Sequence, residues 1–248
     1  MTDPINPSPF IGIGVTKPLD RYADMLIMAD RGLHGQIAAL VTETLPKGAR
    51  ILDFGAGQGA LSQRLHDLGY VMLAVDLDAD QFKAAVPFEA LDFNQPDQVA
   101  AFHARHQGQF DLVLGVEIIE HIENPWQYVR DLKNLTRRGG WIIISTPNVT
   151  SWFSRLVFLL RGRFHQFEDH DYSYGHINPV TTAELRYICE RTGLTVERIQ
   201  PGGWLPRLWL SANPVRLIFH LIGFALSFGM RGMKSGWCII ALIRNPER

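Results

Sequence analysis

The stretch Ile51-Leu-Asp-Phe-Gly-Ala-Gly-Gln-Gly59 constrains this chain more than any other. An apolar run ends in three closely spaced glycines, and a helical pattern with Leu61 and Leu65 on one face follows at once. Glycine belongs where a backbone turns tightly and passes close to a ligand, because a side chain there would block the approach. A second apolar run, Val71–Val75, ends at Asp76, 17 residues after Gly59. An acid at that place can accept both hydrogen bonds of a ribose diol. Strand, glycine loop, helix and acid-ended strand together read as a binding unit for an adenosine-containing ligand.

The rest of the chain keeps the same alternation. Leu33, Ile37, Leu40, Val41 and Leu45 mark a helix that Pro46-Lys47-Gly48 ends. Strands are expected at Arg50–Phe54, Val71–Asp76, Phe88–Leu91, Phe110–Val116, Trp141–Ser145, Leu194–Ile199 and Trp237–Ile243. Helices are expected at Gly59–Leu68, Asp97–His106, Pro125–Leu135 and Thr182–Thr192. Such alternation implies an α/β fold with a mainly parallel sheet, helices on both faces, and a ligand beyond the carboxyl ends of the strands. All 248 residues, 46% of them apolar and 20% charged, fit one domain. Residues 1–32 read as a Pro-rich arm and cap, 33–200 as a cofactor-binding core, 201–236 as an apolar basic insertion, and 237–248 as the last strand and tail.

Charge and cysteine usage narrow the partners. Lys plus Arg number 24 against 25 Asp plus Glu, without the basic excess that broad phosphate neutralisation needs, so no nucleic-acid partner is expected. Cys189 and Cys238 make no metal-spaced pair, which suits a reduced, cytosolic chain with both thiols packed as small apolar groups. Met1–Pro9 has neither the basic start nor the apolar run of a secretory signal, so the chain is expected to stay in the compartment where it is made.

Gly55, Gly57 and Ala60 satisfy a loose dinucleotide fingerprint, which raises a nicotinamide enzyme. Gly59 comes one place too early for that spacing, and Asp53 just before the first glycine would oppose a pyrophosphate but suit a ligand bearing an ammonium group. Asp53-Phe-Gly55-Ala-Gly57-Gln-Gly59 resembles motif I of class I S-adenosylmethionine (SAM)-dependent methyltransferases. Over roughly residues 33–200 the likeness continues through Leu73-Ala-Val-Asp76, Leu91-Asp92-Phe93, Phe110-Asp-Leu-Val-Leu114 and Arg138–Asn148. It implies a Rossmann-like fold with a seven-stranded, mainly parallel sheet, carrying apolar insertions here. It also implies that Asp53, Gly55, Ala56, Gly57, Gly59, Asp76, Leu77, Asp92, Phe93 and Val116 surround the cofactor, with Asp76 at the ribose and Asp92-Phe93 at the adenine. Asp78 competes with Asp76, and Asp92 also suits a surface turn.

Directly after the fourth strand stands Glu117-Ile-Ile-Glu120-His121. If it is helical, Glu117, Glu120 and His121 share one face, where they can ligate a divalent metal or position a general base. The motif is similar to that of the ubiquinone-biosynthesis O-methyltransferase group, and to small-RNA 2′-O-methyltransferases. There, a later His joins it around a divalent metal, which here implies Glu117, Glu120, His121 and His176 around an ion such as Mg. A purely structural Glu-His that caps the next helix and ties it to the sheet fits equally. His165, His170, Asp169 and Asp171 read as solvated loop positions on the acceptor side.

Two apolar segments interrupt the rhythm, Trp152–Arg163 and Pro201–Gly236. The richest stretch, Leu217–Met230, reaches only roughly 21 Å as a helix, short of a hydrocarbon core of about 30 Å. Asn148–Phe167 and Pro201–Gly236 together hold seven basic residues and no acid, so the remainder carries a net −8. That flank suits peripheral contact with anionic lipid through 152–163 and 205–234 on the inner face of a membrane, or helices that cover the sheet or pair two subunits. The expected activity is SAM-dependent O-methylation of an apolar, lipid-linked or membrane-associated acceptor. Small-molecule N- or C-methylation and a non-catalytic SAM-binding adaptor stand as alternatives.

Overall fold

The computed structural model describes residues 10–13 and 20–247. Its elements in chain order are β1 (Ile11–Ile13), β2 (Arg21–Tyr22), β3 (Met25–Leu26), α1 (Leu33–Thr44), β4 (Arg50–Phe54), α2 (Ala60–Asp67), β5 (Val71–Asp76) and β6 (Phe88–Ala90). There follow α3 (Pro96–His106), β7 (Phe110–Val116), a 3₁₀ turn (Ile119–His121), α4 (Pro125–Leu135), β8 (Thr136–Pro147), α5 (Trp152–Arg161) and α6 (Asp169–Tyr172). The chain then runs through α7 (Thr182–Arg191), β9 (Thr195–Gly202), β10 (Leu208–Leu210), α8 (Pro214–Ser227) and β11 (Cys238–Arg244).

Seven strands form one sheet in the order β6-β5-β4-β7-β8-β11-β9. Pairing is parallel from β6 to β8, and β11 runs antiparallel between β8 and β9. Its central strands feed two cores because successive side chains leave a strand on opposite faces. Ile51, Leu112, Leu114 and Ile143 meet Leu33, Ile37 and Val41 of α1 and Leu61 and Leu65 of α2. Leu52, Val113, Ile142 and Ile144 meet Phe102 of α3, Val129 and Leu132 of α4, and Leu185 and Ile188 of α7. Burial on both sides explains why β7 and β8 read as continuous apolar runs.

This is the expected seven-stranded, mainly parallel Rossmann-like fold, with a few local departures. No helix joins β5 to β6; residues 77–87 form turns instead, held by Asp78, whose carboxylate accepts from the amides of Asp80 and Gln81. Ile11–Ile13 of the expected arm form β1, paired in parallel with β10, while residues 1–9 and 14–19 lie outside the described residues. The β2–β3 hairpin turns at Ala23-Asp24, both with positive φ, and lies over the glycine loop, where the Leu26 amide donates to Gln58 Oε1 at 3.0 Å.

Candidate functional site

The glycine loop and Asp76 form one rigid corner at the carboxyl ends of β4 and β5. Gly57 N–H donates to Asp76 Oδ2 and Leu77 N–H to Oδ1, both at 2.8 Å. Each carboxylate oxygen keeps a free lone pair, so the pair can accept from two adjacent hydroxyls. Asp78 instead spends both oxygens on Asp80 and Gln81. Of the candidate cofactor residues, Leu77 is exposed, Ala56 and Gly57 stand at or near the surface, and Val116 is buried at the end of β7.

The three glycines differ in purpose. A Cβ on Gly57 would meet nothing within 4 Å, leaving the loop open to a ligand there. One on Gly59 would strike Ala84 Cβ at 2.6 Å and the Phe82 ring at 2.7 Å, at a φ of +87°. Gly59 is thus required by the 82–84 segment folded over it. Ile118 occupies the corresponding space at Gly55.

Asp53 is not presented to a ligand's ammonium group. It is 1% exposed, and Oδ2 accepts from Ser62 Oγ of α2 at 2.6 Å. Burial and the charge of Asp76 push its carboxyl up to about 7, against which the Ser62 bond pulls down. Asp92 accepts the Asn94 amide at 2.9 Å and so holds the turn into α3, while the Phe93 ring packs 4.4 Å from that of Phe54.

The Glu-x-x-Glu-His stretch is not a helix, and the shared face expected of it does not exist. Glu117 is left-handed at φ +56°, and the 3₁₀ turn begins only at Ile119. The Glu117 amide donates to the Ser145 carbonyl, while its carboxylate accepts from Ser145 Oγ at 2.7 Å and Cys238 Sγ at 3.1 Å. Glu117 therefore faces β8 and β11 and is not one of the candidate ligands that cluster. Glu120, His121 and His176 do come together: one donor atom from each lies within 4.8 Å of the others, a group that can hold a metal ion.

Glu120 is fully buried; Thr146 Oγ1 donates to its Oε2 at 3.0 Å, and Oε1 has no hydrogen-bond partner among the described residues. Desolvation, and then the charge of Glu117, raise its carboxyl well above the usual range. His176 reaches the site because the amides of Ile177 and Asn178 donate to the Glu120 carbonyl at 2.9 and 3.0 Å. Its Nδ1 donates to the Gln166 carbonyl at 2.7 Å; a carbonyl only accepts, so the Nε2 lone pair is free to ligate. Burial, then the neighbouring His176, lower the pKa of His121, against which hydrogen bonds to the backbone of Tyr174 and Gly175 pull up. The helix-capping alternative fails in part, since the cap of α4 is Asn124. Sequence reasoning missed Thr146, Gln166 and Ser145; the positive φ of Gln166, rare for a side-chain-bearing residue, is a mark that only the backbone reveals.

Beside this cluster the acceptor-side segments enclose two cavities. An inner one of about 200 Å³ is walled by Trp204, Trp209 and Trp237 with Asp30 and Gln166. An outer one of about 840 Å³ lies between α5 and α8 and includes Phe153, Val157, Leu160 and Phe219. His165 and Trp209 line both. His165 is thus not solvated: its ring packs 5.0 Å from Phe153 and 4.9 Å from Trp237, and burial lowers its pKa. Asp169 pairs with Arg163, Asp171 closes the capping box of α6, and His170 is exposed.

A family model described as a methyltransferase domain matches residues 29–199. The chain is 34% identical over 108 residues to a ubiquinone biosynthesis O-methyltransferase of Caulobacter sp., covering 42% of this chain and 43% of that protein's length. It is 30% identical over 187 residues to the protein of the same name from Thiobacillus denitrificans, covering 70% and 73%. Among solved structures, a SAM-dependent methyltransferase from Archaeoglobus fulgidus superposes with a TM-score of 0.57 at 18% identity, covering 86% of this chain and 95% of that one. Magnesium protoporphyrin IX methyltransferase from Synechocystis gives 0.52 at 15% identity, covering 86% and 81%.

Proposed function

The chain belongs to the SAM-dependent methyltransferases, and on that premise we propose that it methylates a hydroxyl of an apolar, lipid-linked or membrane-associated acceptor. A peripheral position on the inner face of a membrane goes with such a substrate. What carries the proposal is the convergence of Glu120, His121 and His176, with Glu120 Oε1 buried and without a partner among the described residues, beside an apolar cavity system. A hydroxyl needs help to lose its proton, whereas a thiolate or carboxylate acceptor would need none of these groups.

Bound SAM supplies a sulfonium methyl and its own thioether leaving group. On this reading Asp76 accepts the ribose hydroxyls, the backbone from Gly55 to Gly57 passes alongside the cofactor, and Asp53 stiffens the loop from behind through Ser62. Leu77, Phe93 and Val116 flank the adenosine and methionine parts, and Asp92 steadies the turn beside the adenine. The donor set of one carboxylate and two imidazoles fits a divalent cation such as Mg or a transition metal. Glu120, His121 and His176 would hold it, and it would lower the pKa of the acceptor hydroxyl. Without a cation, the His121 imidazole is the group able to take the hydroxyl proton.

The ubiquinone O-methyltransferases that this chain resembles support the acceptor class by their names. The test is incubation with methyl-labelled SAM and a membrane-lipid extract, with the product identified by mass. A labelled methyl ether on an apolar product is the expected outcome. Label only on nitrogen, carbon or water-soluble products would overturn it.

A further inference from the structure

Helix α8 packs Phe219 and Phe224 against Phe153 and Phe10, yet leaves most of its aliphatic side chains outside. Its buried residues are His220, Gly223 and Ser227, while Val215, Ile218, Leu221, Ile222 and Leu226 face outward in a stripe at helical spacing. Water drives apolar side chains inward, so the reverse order means that the medium outside this face is not meant to be water. The inward choices follow from close packing: a Cβ on Gly223 would lie 2.4 Å from the Trp152 ring, and His220 stacks 4.6 Å from Trp209 while Nδ1 donates to its carbonyl. Leu160 at the end of α5 is exposed and lines the same outer cavity as the exposed Val215, so the cavity's mouth opens there.

We propose that the outward faces of α5 and α8 seat the protein on an anionic lipid surface, with the outer cavity opening into it. Among the described residues no helix is long and apolar enough to cross a membrane, so the proposed contact is interfacial. Charge selects lipid over a second copy of the chain. The segments 148–167 and 201–236 contain no acid, and Arg161 and Arg163 already pair with Glu168 and Asp169. Arg216 on α8 and Arg231 just after it are exposed near the two ends of the stripe in sequence, and a two-fold pairing of this face would set positive against positive. Anionic headgroups complement it at about 1 kcal/mol per basic residue near the surface. The seating rests on the lipid-linked reading only for the cavity's role, and vesicle binding is measured without any acceptor, so either idea can fail alone.

The experiment is co-sedimentation of the full chain with vesicles of phosphatidylcholine, with and without phosphatidylglycerol, at low and high salt. Wild type should sediment with the anionic vesicles and be released by salt. Ile218→Ser with Ile222→Ser and Leu226→Ser should lower partitioning at least about tenfold, since each removes exposed apolar area that would enter the interface. Arg216→Glu with Arg231→Glu should abolish the preference for phosphatidylglycerol. These positions are exposed, and an unchanged melting temperature checks that the fold is kept. Wild type left in solution, either variant sedimenting as wild type does, or a concentration-dependent dimer that the serine variant abolishes while vesicles stay unbound would each overturn the proposal.

Discussion

Gly57 N–H donates to Asp76 Oδ2 at 2.8 Å, so the glycine loop holds the acid at the end of the next strand in a fixed orientation. Asp78, two residues on, is turned into its own local turn. Asp76→Ala should therefore weaken SAM binding about 10- to 100-fold, the loss of hydrogen bonds to a charged acceptor, while Asp78→Ala leaves it within about threefold by the same scale. Isothermal calorimetry measures both. Equal affinity for Asp76→Ala and wild type removes the ribose role.

Glu120 belongs to the group with His121 and His176 and is not among the partners of the Gly57–Asp76 corner. Glu120→Gln and His176→Ala should each lower turnover by about 10²- to 10⁴-fold, the range expected for losing a positioned proton acceptor or its equivalent, with SAM affinity nearly intact. If a cation is held there, chelation should reproduce the loss and added Mg should restore it. Full turnover after exhaustive chelation assigns the proton to His121 alone.

Asp53 gives a pH signature. Its folded pKa of about 7 lies above the ordinary 3.8, so the folded protein keeps a proton that the unfolded chain releases. The contribution to stability is fully present below the unfolded value and is lost as pH rises through about 7. Asp53→Asn, which can still accept from Ser62, should melt higher than wild type at pH 8 and show a flatter decline between pH 5 and 8. Superimposable melting profiles would count against a buried, proton-holding Asp53.

Gly223 tests the packing of α8 apart from any lipid. Gly223→Ala pushes a methyl into the Trp152 ring and should cost about 1–3 kcal/mol of stability by overpacking. Ile222→Ser on the outward face should fall within about 0.5 kcal/mol, as surface changes usually do. Denaturant titration in detergent-free buffer distinguishes them; similar losses at both positions would mean that Ile222 is not free of the fold.

The amino-acid sequence determined the framework of this protein. Short apolar runs and 3.6-residue apolar periods set strands and helices, and the spacing of Gly55, Gly57 and Asp76 encoded the corner between β4 and β5, because these features arise from neighbours along the chain. Tertiary structure alone decided what depends on segments that are remote in sequence. It turned Glu117 toward Ser145 and Cys238 by a left-handed residue at the strand end, and set Gly59 under Phe82 and Ala84. It brought His176 to Glu120 and His121 through backbone hydrogen bonds that no periodicity encodes. It also set His165 between the rings of Phe153 and Trp237, and fixed the inward face of α8 by packing Trp152 against Gly223. Apolar pattern states how much surface seeks cover, but which face finds a partner is settled only when the neighbouring elements have closed around it.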